Sequence, residues 1–163
     1  MKIRLILTTL ICFSIASLAD SHSDILSNIR NRNTYAHAKC IESIYSVAEE
    51  GNNVYVTVQF TAGHETCDFN QLFVSRNNGV DFVSQVIGSD ACSSLHQVTQ
   101  CGPTLYVTQY VGFSKYFRVF RSNDAAQSFA QIGSDSLVNT TGGSFTCEQL
   151  NLFDAGHYEG FGL

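Results

Sequence analysis

Tryptophan is absent from this sequence, and proline and methionine each occur once. Charged residues make up only 14% of the chain, and no run of basic residues is present. The cysteines never form Cys-x-x-Cys and the histidines never form His-x-x-x-His, which argues against a zinc ribbon, a thioredoxin-like centre and a helical metal site. No long segment carries the helical period of 3.6 residues, so a mostly helical fold is disfavoured as well.

The chain begins like an exported protein. Lys2 and Arg4 precede a mostly apolar stretch, Leu5 to Ala16, which is too short to span a bilayer comfortably. This pattern predicts a signal peptide, residues 1–19, cleaved after Ala19, and hence a secreted or periplasmic protein with no membrane attachment after cleavage. Cleavage leaves 7 basic against 14 acidic residues, a net charge of −7. An acidic surface argues against nucleic acid as a partner.

The middle of the chain alternates between apolar and polar side chains and repeats itself. The segments NVYVTVQF at 53–60 and TLYVTQYV at 104–111 begin with the same period of two, which is typical of half-buried strands. Tyr-Val-Thr occurs at 55–57 and at 106–108, and Gly-Ser-Asp occurs at 88–90 and at 133–135. The repeat is roughly 50 residues long, in the range of propeller and solenoid units.

Four short strands per repeat predict an all-β fold of four-stranded antiparallel, propeller-type blades. We expect an N-terminal extension at 20–39, with a helix over Ser23–Asn33 capped by Ser23, followed by a blade domain at 40–163. The blades are predicted at about 40–91 and 92–146, with a partial third at 147–163. The predicted strands cover about 41–48, 53–60, 71–76 and 82–87 in the first blade and 95–100, 105–110, 117–121 and 129–132 in the second.

One motif lies between the third and fourth strands of each predicted blade. It contains a Ser, then Asn or Asp, then Gly or Ala, then Phe: Ser75, Asn77, Gly79 and Phe82 in the first blade, and Ser122, Asp124, Ala126 and Phe129 in the second. Short polar side chains bond the amides of their own turn, and glycine permits left-handed backbone. This motif resembles the Asp-box, or bacterial neuraminidase repeat, of sialidase-like propellers. Asn77 and Ala126 depart from the usual Asp and Gly.

The resemblance implies blades rather than an activity, because the Asp-box in that family is a folding device away from the catalytic face. No position here matches the arginine triad or the Tyr/Glu pair of sialidases, so no catalytic residue is assigned and the chain is not expected to act as an enzyme by itself. The favoured function is binding, with glycan as the ligand and no cofactor. The alternatives are a truncated sialidase-like glycosidase without its catalytic residues and a structural secreted protein.

Two blades do not close a ring, because known propellers have about 4–8 blades. Two apolar blade faces would then be exposed, which predicts self-association to complete a propeller. A truncated relative of a longer propeller and a compact pair of sheets remain open as alternatives.

Candidate binding residues lie in the connections after the second strand of each blade. His64 and Glu65 occur in GHETCD, and Lys115 and Tyr116 occur in GFSKYF, with Tyr110 just before it. Aromatic faces of Tyr110 and Tyr116 suit the apolar face of a sugar. A solvated loop held by a disulfide, and ordinary packing at a strand edge, are the alternative interpretations of these two segments.

The cysteine spacing predicts a disulfide between Cys40 and Cys67, because the start of a first strand lies beside the end of the second. Cys92 and Cys147 form the next candidate pair, which leaves Cys101 as the odd thiol. A separate metal site is predicted at the mature amino terminus. Asp20, Ser21 and His22 would offer four nitrogens in a plane, which suits Cu(II) or Ni(II).

Overall fold

The computed structural model describes residues 22–34, 38–61, 70–88, 93–111, 116–133 and 144–157, with the side chain of Tyr116 excepted. The predicted signal peptide, Asp20 and Ser21 lie outside this part of the chain. The helical residues 22–32 form α1, and a single turn of 3-10 helix, Ala38–Cys40, leads into the first strand. His22 and Ser23 are already helical. The helix was predicted correctly, but Ser23 is therefore not its N-cap.

Two four-stranded antiparallel sheets confirm the predicted fold class. The first blade consists of β1 (Ile41–Glu50), β2 (Asn53–Phe60), β3 (Gln71–Ser75) and β4 (Val83–Val86) in sequential order. The second consists of β5 (Ser93–Cys101), β6 (Thr104–Val111), β7 (Tyr116–Ser122) and β8 (Ala130–Ile132) in the same order. Each blade is a meander. The first strands of the two blades, β1 and β5, pack side by side.

The blades stack face to face through one apolar layer. Tyr55, Leu72 and Val74 of the first blade meet Val107 and Phe120 of the second, and all five are buried. Tyr55 and Leu72 are fully excluded from solvent, so this layer resembles the interior of a β-sandwich. The alternation along β2 and β6 places every second side chain in the layer, as the period of two predicts.

A helix covers the outer face of each blade. Ile25 and Ile29 of α1 pack on Val56 and Phe73 of the first blade, in a cluster that also holds Phe82. At the other end of the stack, α2 (Cys147–Asp154) packs on the second blade. Leu150 and Phe153 of α2 are buried in a cluster with Tyr106, Phe117 and Val119. The two faces that were expected to be exposed for self-association are therefore covered by helices of the same chain.

The predicted first strand of a third blade is wrong, because residues 147–154 are helical. Thr146 caps the helix: its hydroxyl accepts from the Gln149 amide at 3.3 Å, and the Gln149 side chain accepts from the Thr146 amide at 2.9 Å. This reciprocal pair is a capping box, whose Thr-x-x-Gln pattern is visible in the sequence. Leu150 and Phe153, three residues apart, then lie on the face that contacts the second blade.

The predicted cysteine pairing is wrong at two positions. Cys101 is bonded to Cys147, with a Cα–Cα distance of 5.5 Å, and is not the odd thiol; Cys147 is not paired with Cys92. Cys101 ends β5 beside the β5–β6 turn, and α2 begins next to it because the helix crosses the outer face of the second blade. Cys67 lies outside the described residues, so its pairing with Cys40 stays a prediction. The carbonyl of Cys40 does accept from the Thr61 amide at 2.8 Å, which places the start of β1 at the end of β2.

Both ends of α2 are attached to the second blade. The disulfide holds its first residue, and Arg121 donates to both carboxylate oxygens of Asp154 at 2.7 and 2.9 Å. The Tyr106 hydroxyl lies 3.0 Å from the Asn151 side-chain oxygen and 3.2 Å from Asp154. Burial, and then the Asp154 charge, raise the pKa of Tyr106 to about 12. These contacts hold a helix of eight residues, which is too short to be stable alone.

Loss of the Cys101–Cys147 bond should loosen α2. The bond closes a sequence separation of 46 residues, for which the chain-entropy model predicts a stabilisation of about 4 kcal/mol. We expect Cys147→Ala to lower the urea midpoint and to speed exchange of the amides of α2 more than those of β2. Glu148→Ala, at the next position in α2, is the control. Equal exchange rates throughout α2 in the variant and in the native chain would contradict this role of the disulfide.

Candidate functional site

The first of the two predicted box turns folds as its motif predicts. The Ser75 hydroxyl oxygen accepts from the Gly79 amide at 2.9 Å, and Asn77 Oδ1 accepts from the Asp81 amide at 2.9 Å. Asn78 and Gly79 are left-handed, with φ of 56° and 77°. A glycine is useful here because a side chain opposes this backbone conformation. The turn lies at the same end of the blade as the β1–β2 hairpin turn.

The second turn repeats this geometry at a constant offset of 47 residues. The Ser122 hydroxyl oxygen accepts from the Ala126 amide at 3.0 Å, and Asp124 Oδ1 accepts from the Ser128 amide at 3.0 Å. Ala126 takes the left-handed position of Gly79 with φ of 62°, and its methyl group is buried in the layer between the blades. Hydrogen bonds from Ser128, Ser122 and the backbone hold the pKa of the Asp124 carboxyl far below its usual range.

Each box turn also receives a hydrogen bond from the layer that precedes it. The Asn28 side chain of α1 donates to the Gly79 carbonyl at 2.8 Å. In the same way, Arg76 of the first blade donates to the Ala125 carbonyl of the second at 3.0 Å. Phe82 packs towards α1, and Phe129 packs against the layer between the blades. Both box turns therefore contribute contacts between consecutive layers.

The donor and the acceptor are exchanged between the two boxes. In the first, Asn77 Nδ2 donates to the Asp81 carboxylate at 3.0 Å. In the second, the equivalent pair is reversed, because the Ser128 hydroxyl donates to the Asp124 carboxylate. Each turn therefore holds one carboxylate and one donor, although the carboxylate is on opposite members of the pair. This exchange accounts for Asn77 in the first turn at the position where the second turn has Asp124.

The exchange predicts non-additive substitutions in the first box. Asn77→Asp should destabilise the fold by about 1–2 kcal/mol, because it places two carboxylates where a donor and an acceptor now meet. Adding Asp81→Ser should recover most of that loss by recreating the pair of the second box. Asp81→Ser alone also removes the exposed ion pair with Arg32, 3.2 Å long, and is the control. Urea denaturation of all four chains gives the coupling free energy, and simple additivity would contradict the exchange.

The low pKa of Asp124 predicts an acid-dependent contribution to stability. Because the folded-state pKa lies below the unfolded value of about 4, this contribution is present above pH 4 and is lost as the pH falls from there. Asp124→Asn should therefore be less stable than the native chain at pH 7, with the difference shrinking below pH 4. Thermal melts between pH 7 and pH 2.5 measure it, and a difference that is constant with pH would argue against a stabilising carboxylate.

The first strands of the two blades, β1 and β5, carry matching β-bulges. In β1 the register shifts between Ile44 and Ser46, which leaves Tyr45 as the extra residue. In β5 it shifts between Leu95 and Gln97, which leaves His96 as the extra residue at the equivalent position. The hydroxyl of Thr57 donates to the His96 carbonyl at 2.9 Å, and the hydroxyl oxygen of Thr108 accepts from the Gln97 amide at 3.1 Å. The threonines of the repeated Tyr-Val-Thr motif thus satisfy the backbone around the second bulge.

The bulged residues meet at the junction of the two blades. The rings of Tyr45 and His96 lie 5.1 Å apart between centroids, at an interplanar angle of 30°. Tyr45 is 42% exposed and His96 is half-buried. Bulges often re-aim side chains at functional sites, and here they bring two aromatic rings from different blades to one surface. Neither residue was predicted from the sequence, because a bulge interrupts the alternation without a residue type that marks it.

An aromatic row continues from this pair across the second blade. Phe117 contacts the His96 ring edge-on at 5.8 Å, and Tyr110 contacts Phe117 edge-on at 5.3 Å. We call Tyr45, His96, Phe117 and Tyr110 the aromatic row. Phe117 is buried and Tyr110 is half-buried, so Tyr45 offers the widest exposed surface. Of the predicted binding residues, Tyr110 belongs to the row but also packs beside the core that α2 covers.

Most of the remaining predicted site residues lie outside the described part of the chain. His64, Glu65 and Lys115 lie outside the described residues, as does the side chain of Tyr116. His22 is exposed on α1, while its predicted metal-binding partners Asp20 and Ser21 are outside the described part. Across the described ranges, no three His, Cys, Asp or Glu side chains gather as a metal site.

The arginines occupy separate places. Arg30 donates to the carbonyls of Ile41 and Glu42, Arg76 donates to the second box turn, and Arg121 binds Asp154. These contacts attach the two helices and join the two blades. The same guanidinium groups do not converge on one surface.

Comparison of the chain with protein-family models gives no match. A search of curated proteins also gives no match. The family of the chain is therefore not established by similarity.

Proposed function

We propose that this protein is an exported carbohydrate-binding module with a sialidase-like, Asp-box blade pair as its scaffold. The observation that carries the proposal is the aromatic pair at the junction of the blades. Two equivalent bulges direct Tyr45 and His96 to one surface, and the exposed face of Tyr45 suits the apolar face of a sugar ring.

Polar side chains beside Tyr45 suit a hydroxylated ligand. The Ser43 hydroxyl donates to Gln59 Oε1 at 3.1 Å, on the residue pair next to the first bulge, and both side chains are half-buried. An apolar surface with a few fixed polar groups is the usual composition of a small-molecule site. Tyr110 belongs to the same row, and His64, Glu65, Lys115 and the Tyr116 side chain stay proposed contacts outside the described residues.

Export is supported by the Cys101–Cys147 disulfide, which is typical of proteins from oxidising compartments. Together with the predicted signal peptide, the disulfide favours a secreted or periplasmic protein. In the ranges that the structure describes, no helix is long and apolar enough to cross a bilayer.

Glycan binding should depend on the ring at position 45. We expect residues 20–163 to retain one or more oligosaccharides on an array of neutral and acidic glycans, and Tyr45→Ala to weaken that binding by about tenfold, or 1.4 kcal/mol. Tyr45→Phe keeps the ring and should keep most of the affinity. Leu152→Ala, at an exposed position of α2, is the surface control. Titration calorimetry measures each affinity.

Two results would count against the proposal. Retention of no glycan on the array would favour a structural secreted protein, and equal affinities of the native chain and Tyr45→Ala would place the site elsewhere. Hydrolysis of a fluorogenic sialoside by residues 20–163 would instead favour the glycosidase alternative.

A further inference from the structure

The outer strand of the first blade has unusual properties for a sheet edge. β4 pairs with β3 on one side and is the last strand of its sheet. Val83 and Val86 of this strand are 72% and 63% exposed, the largest exposures among the large apolar side chains of the described residues. Natural edges are usually protected by charge, proline or a bulge, and Val-Ser-Gln-Val has none of these. The corresponding edge of the second blade, β8, is only three residues long.

The hydrogen-bond pattern shows which backbone groups of β4 point outwards. The Ile87 amide donates to the Asn70 carbonyl at 3.0 Å, so this pair is a hydrogen-bonded one. Because bonded and non-bonded pairs alternate in antiparallel sheets, Gln85 and Val83 also bond to β3. Ser84 and Val86 then direct their N–H and C=O groups away from β3. The Phe82 carbonyl, next along the same side, already accepts from Asn33 at 3.1 Å.

The outward groups of Ser84 and Val86 form a self-complementary set. If a second copy of β4 lies antiparallel with the two-fold axis at Gln85, Ser84 faces Val86 of the second copy, and the same pair recurs on the other side of the axis. Each pair exchanges two hydrogen bonds, so four bonds satisfy all eight outward groups of the two copies. Shifting the register by one step towards Phe82 would require the carbonyl that Asn33 already occupies.

The surroundings of β4 tolerate a second copy. The chain carries a net negative charge, but β4 itself is uncharged, and the nearest carboxylate, Asp81, is paired with Arg32 at 3.2 Å. A groove of about 350 Å³ borders the strand on the face of Val83 and Gln85, with Val74 and Arg76 as further lining. In the antiparallel arrangement, Gln85 of the second copy lies on that same face and covers part of the groove.

We propose that two copies of this protein associate through their β4 edges into one continuous eight-stranded sheet. This mode differs from association through the blade faces, which the helices cover, and it leaves the aromatic row untouched. Because few residues pair, the buried area should fall below roughly 1,200 Å², so the dimer should be weak and dependent on concentration.

Sedimentation velocity of residues 20–163, from about 10 µM to 1 mM, tests the association in the concentration range of a weak interface. Ser84→Pro removes one outward donor without touching the bonds to β3, and proline is tolerated on an outer strand. We expect Ser84→Pro, and separately Val86→Lys, to weaken the dimer at least tenfold while the thermal melting curve is retained. Leu152→Lys, at an apolar position of α2 that is 45% exposed, should leave the dimer unchanged.

Hydrogen exchange identifies the edge directly. In the native chain the amides of Ser84 and Val86 should exchange more slowly at high concentration, while that of Gln85, which bonds to β3, should not respond. A native chain that stays monomeric throughout the range would overturn the proposal. So would a dimer that Ser84→Pro and Val86→Lys leave intact, or one that Leu152→Lys disrupts.

Discussion

Each four-stranded blade has two apolar faces, and the rest of the structure follows from the need to cover both of them. The blades cover one face of each other through the layer around Tyr55, Leu72 and Val107. The outer faces are covered by α1 and α2, which occupy the positions that neighbouring blades hold in a closed propeller. The result is a stack of four layers, helix, blade, blade and helix, in which the helices act as caps, as terminal units do in repeat proteins.

The contacts between layers follow one rule along the stack. Each box turn accepts a hydrogen bond from the layer before it, from Asn28 in the first blade and from Arg76 in the second. The repeated tyrosine faces the layer after it: Tyr55 lies against the second blade, and Tyr106 lies against α2, where it meets Asp154. The helix α2 therefore replaces a third blade in contacts as well as in position. Its covalent and ionic attachments compensate for the small area that a short helix covers.

Much of the scaffold was predictable from the sequence, and the candidate site was not. The alternation in Asn53–Phe60 predicted β2 to the residue, because successive side chains of a strand point to opposite faces of the sheet wherever the strand is placed; both faces of β2 are buried, not one as predicted. The box motif predicted its own hydrogen bonds, since they join residues within a few positions. Tyr45 and His96 were missed because their proximity depends on two bulges and on the packing of the blades against each other. For the same reason local patterns did not predict that Cys101 would meet Cys147.

The sequence by itself determined the features that arise from short-range physics: the strands of the two blades, the left-handed turns and the acidic composition. Only the tertiary structure decided what covers the blades, because a segment such as SFTCEQLNLF has apolar side chains for either a strand or a helix. The apolar outer face of the second blade packs against the helix that Thr146 caps. Tertiary packing likewise decided which strand edge stays open. β4 is exposed because it is the last strand of the first sheet, while the next strand, β5, belongs to the second sheet. No alternation of side chains within Val83–Val86 encodes this strand order.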